Sequence, residues 1–238
     1  MRIRSLLYDI LATAAKAIPR IGFVPSILFG LANYAARDVV VTPKGDRSRL
    51  RIRGNTSDAT VFRHVLINEK YPVLPEADAV DLIIDAGAYV GYTAAFFVRQ
   101  YPRAHVVAIE PEPSNFEILS FNTRDLPRID LVNKALWDSE TRVGFLDPRS
   151  EKWAGQVGPD APAQDISTVT IEDILARHPE CRHVLLKMDI EGAERQEFRG
   201  ANRWLPRIDV LFVVATLRLP RVRRARDNQQ PKEQRYEC

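Results

Sequence analysis

Two glycines with three residues between them, Gly87 and Gly91, stand between a short apolar run (Val80, Leu82, Ile83, Ile84) and a helix-forming run from Thr93 to Val98. A glycine turn there lets the chain bend tightly and brings backbone N–H groups close to a ligand. A dinucleotide fingerprint would need G-x-G-x-x-G, and Tyr89 occupies the place of its second glycine. Asp85 precedes the turn, where a carboxylate repels phosphate and attracts an ammonium group. Glu110 closes the next apolar run, Val106 to Ile109, and a carboxylate at that strand end can accept both hydroxyls of a ribose. Two strand-end acids without a phosphate cradle point to an adenosine ligand that is cationic rather than phosphorylated, a description that fits S-adenosylmethionine. The plainer alternatives are an ordinary turn for Gly-x-x-x-Gly and a solvated strand end before Pro111 for Glu110.

These residues need strands to hold them, and the chain supplies strands alternating with helices from about residue 80. Val80 to Ile84 ends at Asp85, Val106 to Ile109 ends at Glu110, and Ile129 to Val132 ends at Asn133. Thr141 to Leu146 reads as a further strand, Val184 to Met188 ends at Asp189, and Val210 to Val214 is the last. Ser114 with Glu117, and Thr170 with Asp173, have the spacing of helix-start capping boxes. A helix is expected from Glu191 to Arg199, its first acids favoured by the helix dipole. Residues 148–164, with two glycines and three prolines and no period, read as a loop over the substrate side. This alternation predicts a parallel α/β sheet, with its chemistry at the carboxyl ends of the strands.

Composition narrows the class. The chain has 238 residues, 45% hydrophobic and 27% charged, which is globular rather than disordered. Cys181 and Cys238 make no disulfide framework, and the four histidines are dispersed in sequence, so a reducing, cytoplasmic setting and no metal are expected. Residues 1–53 hold ten basic and three acidic side chains and residues 215–238 seven and three, so the body is acidic between basic ends. Such arms are more often solvated than bound to nucleic acid, which is not expected as a partner. The uncharged run from Ile21 to Ala36 contains Pro25 and Gly30 and falls short of the roughly 20 residues that span a bilayer. Leu6, Leu7, Ile10, Leu11, Ala14, Ala15 and Ile18 recur at helical spacing beside Arg4, Lys16 and Arg20. That stripe fits either a peripheral membrane contact or a helix packed on the domain.

Three blocks in order, Asp85-Ala-Gly-Ala-Tyr-Val-Gly-Tyr-Thr93, Glu110-Pro-Glu-Pro-Ser-Asn-Phe116 and Lys187-Met-Asp-Ile-Glu-Gly-Ala-Glu194, resemble the FkbM-type family of S-adenosylmethionine-dependent methyltransferases. The lead-in Asp58 to Tyr71 is also similar, and the likeness runs over roughly residues 50 to 212. It implies a Rossmann-like class I methyltransferase sheet with flanking helices, and methyl transfer to a hydroxyl of a sugar, glycolipid or polyketide-like acceptor, a small molecule or glycan. Carried over by position, Asp85, Gly87, Ala88, Tyr89 and Gly91 surround the methionine part and Thr93 its carboxylate. Glu110 holds the ribose, and Asn133 to Ala135 lie near the adenine. Asp189 and Lys187 would position or deprotonate the acceptor; their plainer roles are a helix N-cap and a structural ion pair.

Where the family carries Glu-x-His after its last strand, this chain has Val214-Ala-Thr216, and the strands that complete the sheet are not recognisable. The expected organisation is a basic helical extension (1–50), a methyltransferase domain (51–214) and a disordered basic tail (215–238). A catalytically impaired S-adenosylmethionine-binding module is the alternative to an active enzyme, and a nicotinamide oxidoreductase is disfavoured by Tyr89.

Overall fold

The computed structural model describes residues 37–44, 48–146, 156–158, 164–190 and 193–214, with positions 15, 17–19, 21–27 and 29. The expected tail, 215–238, lies outside them. Apart from Gly22, the positions described between 15 and 29 are helical. Of the predicted apolar stripe only Ala15 and Ile18 are described, and Ala15 is exposed. Leu6, Leu7, Ile10, Leu11 and Ala14 lie outside the described residues; among those described, Ala17, Ile21 and Phe29 are buried and join the main core, while Phe23 and Val24 face outward. Among the described residues no helix is long and apolar enough to cross a membrane.

A short antiparallel pair, β1 (Val39–Val41) and β2 (Leu50–Ile52), leads into α1 (Asp58–Phe62), which continues as a π turn over Arg63–Ile67. Then come β3 (Leu82–Ala86), α2 (Tyr92–Gln100), β4 (His105–Ile109), α3 (Pro113–Thr123) and β5 (Ile129–Val132). After an insertion follow α4 (Ile171–Arg177), β10 (Val184–Met188), the short helices α5 (Glu194–Glu197) and α6 (Ala201–Trp204), and β11 (Val210–Val213). The sheet order is β11-β10-β3-β4-β5, all parallel. The chain builds outward from β3 in one direction and then returns to its other side with β10. The carboxyl ends of β3 and β10 therefore flank the switch point where open α/β sheets bind ligands.

Covered on both faces, the central strands read as continuous apolar runs. Leu82, Ile84, Val107, Ile109, Leu186 and Met188 pack on one side with Trp204 and α4. Ile83, Val106, Ala108 and Leu185 pack on the other, against α2 and the lead-in. On this second face β3 and β10 also carry their only charged side chains, Asp85 and Lys187.

The insertion between β5 and α4 departs from the sequence reading. It forms a second, four-stranded sheet in the order β6-β9-β7-β8, from Ala135–Leu136, Gln164–Val169, Arg142–Leu146 and Gln156–Gly158. The strand expected at Thr141 to Leu146 thus belongs to this sheet, and the expected loop 148–164 contains β8, paired antiparallel to β7. A three-residue strand made in part of glycine has no period of its own; its partner defines it.

Of the two capping boxes, one forms: Thr170 Oγ1 accepts from the N–H of Asp173, whose carboxylate accepts from the N–H of Thr170. The Ser114–Glu117 box does not. The N-cap of α3 is Glu112, accepting from the N–H groups of Ser114 (3.0 Å) and Asn115 (2.6 Å), because Pro113 fills the first helical position with no N–H to satisfy. Glu112→Ala should therefore lower stability by about 0.5–2 kcal/mol. Urea denaturation reads this, and an unchanged midpoint would show that α3 does not depend on that cap.

Candidate functional site

At the end of β3 the chain turns through Gly87 (φ +74°), Tyr89 (φ +53°) and Gly91 (φ +85°) into α2. Gly87 is required by close approach, since a Cβ there would lie 1.9 Å from the carbonyl oxygen of Asp189. Gly91 serves helix packing, because its Cβ would meet Leu119 of α3 at 2.7 Å. The expectation that this turn offers N–H groups to a ligand is corrected at four positions. Gly87 and Ala88 donate to Ile109 O, Tyr89 to Glu110 Oε2, and Gly91 to Ala88 O. With those donors spent internally, these four positions supply no phosphate cradle.

Glu110 is buried where β4 ends, 6% exposed. It accepts from the N–H of Tyr89 (2.9 Å), the N–H of Glu112 (3.1 Å) and Asn115 Nδ2 (3.4 Å). Burial pushes its carboxyl up to about 7, and those three donors restrain the rise. Asn133 follows β5 and its amide donates to the carbonyls of Glu110 and Pro111, so it braces this strand end. Ala135, by contrast, is buried in a small core with Trp137, Val143, Ile166 and Ala193. Ala88 is also a core side chain, and Thr93 is 6% exposed in the first turn of α2.

Asp85 and Lys187 stand at matched positions of adjacent parallel strands, so their side chains leave the sheet on the same face. Lys187 Nζ lies 3.0 Å from Asp85 Oδ1 and donates to the carbonyls of Gly87 (2.7 Å) and Ala86 (3.2 Å). Both residues are fully buried. The reading of Asp85 as the holder of a ligand ammonium is corrected, because Lys187 takes that place. Burial alone would lower the Lys187 pKa, but Asp85, Tyr71 and Asp189 hold it well above its ordinary value. With Asp85 and two backbone carbonyls as its partners, Lys187 forms a structural ion pair, which replaces its reading as a base.

Asp189 follows β10, partly exposed, its N–H bonded to Ala86 O at 3.0 Å. It does not cap a helix, because α5 begins only at Glu194 with Ala193 as N-cap. Glu194 is itself buried and accepts from the N–H of Ile190.

Four residues not singled out in the sequence belong to this neighbourhood. Tyr71 packs on Phe97 and Phe212, and burial pushes its phenol up to about 12, with Asp189 and Asp85 adding to the shift and Lys187 opposing it. Arg53 and Asp58 meet the phenol of Tyr89, and Arg53 also donates to Asn115 Oδ1. Asp58, Tyr71 and Asn115 fall inside blocks already matched to a family pattern, which was the available signal. Two of the four dispersed histidines also meet: His105 and His178 have ring centroids 5.0 Å apart, with Asp130 2.9 Å from His105. That group lies at the amino-terminal end of β4, across the sheet from the glycine turn.

The chain belongs to the family defined by the methyltransferase FkbM domain, which matches residues 85–222. Methyltransferase 1 of Beauveria bassiana (strain ARSEF 2860) is 23% identical over 166 residues, 60% of this chain and 66% of that one. Methyltransferase sdnD of Sordaria araneosa is 26% identical over 155 residues, 50% of this chain and 60% of that one. The chain thus covers less than two thirds of either relative. Among solved structures, the methyltransferase FkbM of Methylobacillus flagellatus KT aligns with 52% of this chain and 30% of its own, at 23% identity and a TM-score of 0.36. The plantazolicin methyltransferase BpumL, solved in complex with SAH, aligns with 65% and 50% at 10% identity and a TM-score of 0.32.

Proposed function

We propose that this chain binds S-adenosylmethionine and transfers its methyl group to a hydroxyl oxygen of a small-molecule or glycan acceptor. The observation that carries the reading is Glu110, a buried carboxylate at the end of β4 beside a glycine turn whose donors are internally spent. Such a site suits ribose hydroxyls and disfavours phosphate. Glu110 would hold the ribose, the turn from Gly87 to Gly91 with Thr93 would border the methionine part, and Asn133 would brace the adenine side. Bound there, S-adenosylmethionine supplies a methyl group on a sulfonium, ready for in-line attack.

Asp189 is the acceptor-side group. Its carboxylate is partly exposed beside the turn, free of a helix-capping role, and it would orient the acceptor hydroxyl and take its proton. A general base of this kind contributes roughly 10² to 10⁴-fold. Lys187 contributes by holding the carbonyls of Ala86 and Gly87, and with them the turn. A binding module without transfer is the second reading, favoured by Val214 and Thr216 in place of an acid and a histidine. A peripheral membrane contact has the exposed Phe23 and Val24 in its support, and against it the burial of Ala17, Ile21 and Phe29 on the domain.

Calorimetry with S-adenosylmethionine, S-adenosylhomocysteine and NAD tests the ligand class. The two adenosyl ligands should bind and NAD should not; binding of NAD alone would overturn the reading. Glu110→Ala should weaken S-adenosylmethionine binding by about 1.5–3 kcal/mol, the worth of hydrogen bonds to a charged group. Unchanged affinity in a folded variant would remove Glu110 from the ribose. A radiolabelled methyl assay over sugar and glycolipid acceptors separates an enzyme from a binding module.

A further inference from the structure

Arg53 and Asp58 precede residues 85–222, over which the family domain matches, yet their side chains reach the glycine turn. Asp58 is fully buried, and Arg53 is 10% exposed at the side chain. Arg53 meets Asp58 with two parallel bonds, Nε to Oδ2 and Nη2 to Oδ1, both 2.9 Å. The same Nη2 donates to Asn115 Oδ1 at 2.9 Å and to the phenol oxygen of Tyr89 at 3.2 Å. Tyr89 in turn donates its hydroxyl to Asp58 Oδ1, and Ser57 Oγ lies 3.1 Å from the same phenol.

Both residues that Arg53 braces also face Glu110. Tyr89 gives its N–H to Glu110 Oε2, and Asn115 gives Nδ2 to Oε1. The bonds therefore close a ring: Arg53, Asp58, Tyr89, Glu110, Asn115 and back to Arg53. A tyrosine with φ +53° is uncommon outside such over-determined positions. Here its phenol is held by three partners, and the left-handed backbone aims its N–H at the carboxylate.

We propose that Arg53 and Asp58 are positioning residues for the nucleoside end of the cofactor site, acting through Tyr89 and Asn115 to hold the carboxylate of Glu110 in its ionised, hydroxyl-accepting form. The proposal rests on the reading of Glu110 as the ribose ligand. The groups that face Glu110 are the N–H of Tyr89 from the turn, the N–H and carboxylate of Glu112 and the amide of Asn115 from the start of α3, and the amide of Asn133 on its backbone carbonyl. The Glu112 carboxylate opposes ionisation, and the donated bonds favour it. Ribose hydroxyls donating to Glu110 add to the favourable side. Wild-type affinity should therefore rise with pH through about 7, and binding at pH 7 should release a fraction of a proton.

Arg53→Lys keeps a cation beside the buried Asp58 but loses the planar fork that reaches Asn115 and Tyr89. Tyr89→Phe loses only the phenol bonds. With the braces loosened, the donors on Glu110 weaken and its ionisation moves to higher pH. A shift of one unit lowers the ionised fraction at pH 7, and with it the affinity for S-adenosylhomocysteine, by about fivefold, while at pH 9 affinity returns to within about twofold of wild type. A purely structural role would weaken binding equally at every pH.

The test is calorimetry of S-adenosylhomocysteine from pH 6 to 9, in buffers of different ionisation enthalpy, on wild type and both variants. It is paired with carboxyl-carbon NMR titration of Glu110 in the ligand-free proteins. A pH-dependent affinity loss with an upward shift of the Glu110 titration supports the proposal. An unshifted titration in both folded variants overturns it. Wild type that binds no adenosyl ligand, with Glu110 still titrating near 7 and shifting in the variants, would instead sink the ribose reading and leave the network as a structural brace only.

Discussion

Gly87→Ala should be severely damaging. The added methyl falls 1.9 Å from the carbonyl oxygen of Asp189 and 2.8 Å from its carbonyl carbon, both backbone atoms that no rotamer change can clear. Alanine at φ +74° also carries a left-handed cost of roughly 1–2 kcal/mol, and overpacking a tight contact adds about 1–3 kcal/mol. The expected loss is about 2–5 kcal/mol, read as a fall in the urea midpoint. Relief requires the end of β3 to move away from β10, which shifts the turn that borders the proposed methionine site, so binding of S-adenosylhomocysteine should fall as well. Gly91→Ala is the control: its nearest neighbours are the terminal carbons of Leu119 and Thr123, at 2.7 and 3.2 Å, which can give way. If Gly87→Ala is no worse than Gly91→Ala, the close approach of β3 to β10 is not what the glycine serves.

Lys187→Met should be as costly and should carry a pH signature. It leaves Asp85 fully buried without its partner, and stranding one half of a buried ion pair costs about 3–5 kcal/mol. Burial already raises the Asp85 carboxyl above its ordinary range against the pull of Lys187, and loss of the lysine raises it further. A carboxyl with a folded pKa above its unfolded one holds more protons in the native state between those values, so stability falls as pH rises through that window. The variant should be nearest to wild type at about pH 4 and worst above neutrality. Adding Asp85→Asn removes the stranded charge and should recover much of the loss, flattening the pH profile. Denaturation of both variants at several pH values reads this; a small, pH-independent loss in Lys187→Met would mean that the pair contributes little.

What the chain discloses on its own is local. Leu82 to Ile84 and Val106 to Ile109 are short apolar runs followed directly by the acids Asp85 and Glu110, and Gly87 and Gly91 mark a turn into a helix. Such signals are local, so the ends of the parallel strands and the turn were legible, and so was the place of Glu110 at the end of β4. Capping was legible at Thr170, where both partners lie in one turn, and misread at Ser114, where Pro113 moved the helix start by two residues.

The tertiary structure decided what meets what. Asp85 and Lys187 are 102 residues apart and pair only because β10 returns beside β3 in matched register. That pairing turned a supposed ammonium holder and a supposed base into one structural unit. Arg53 and Asp58 reach Glu110 only through Tyr89 and Asn115, across separations of 31 to 62 residues. The second sheet likewise exists only through its pairings, since Gln156–Gly158 has no period to announce a strand. Local periodicity records whether a side chain is buried; strand order and register choose its partner, and that choice fixes the charge it carries.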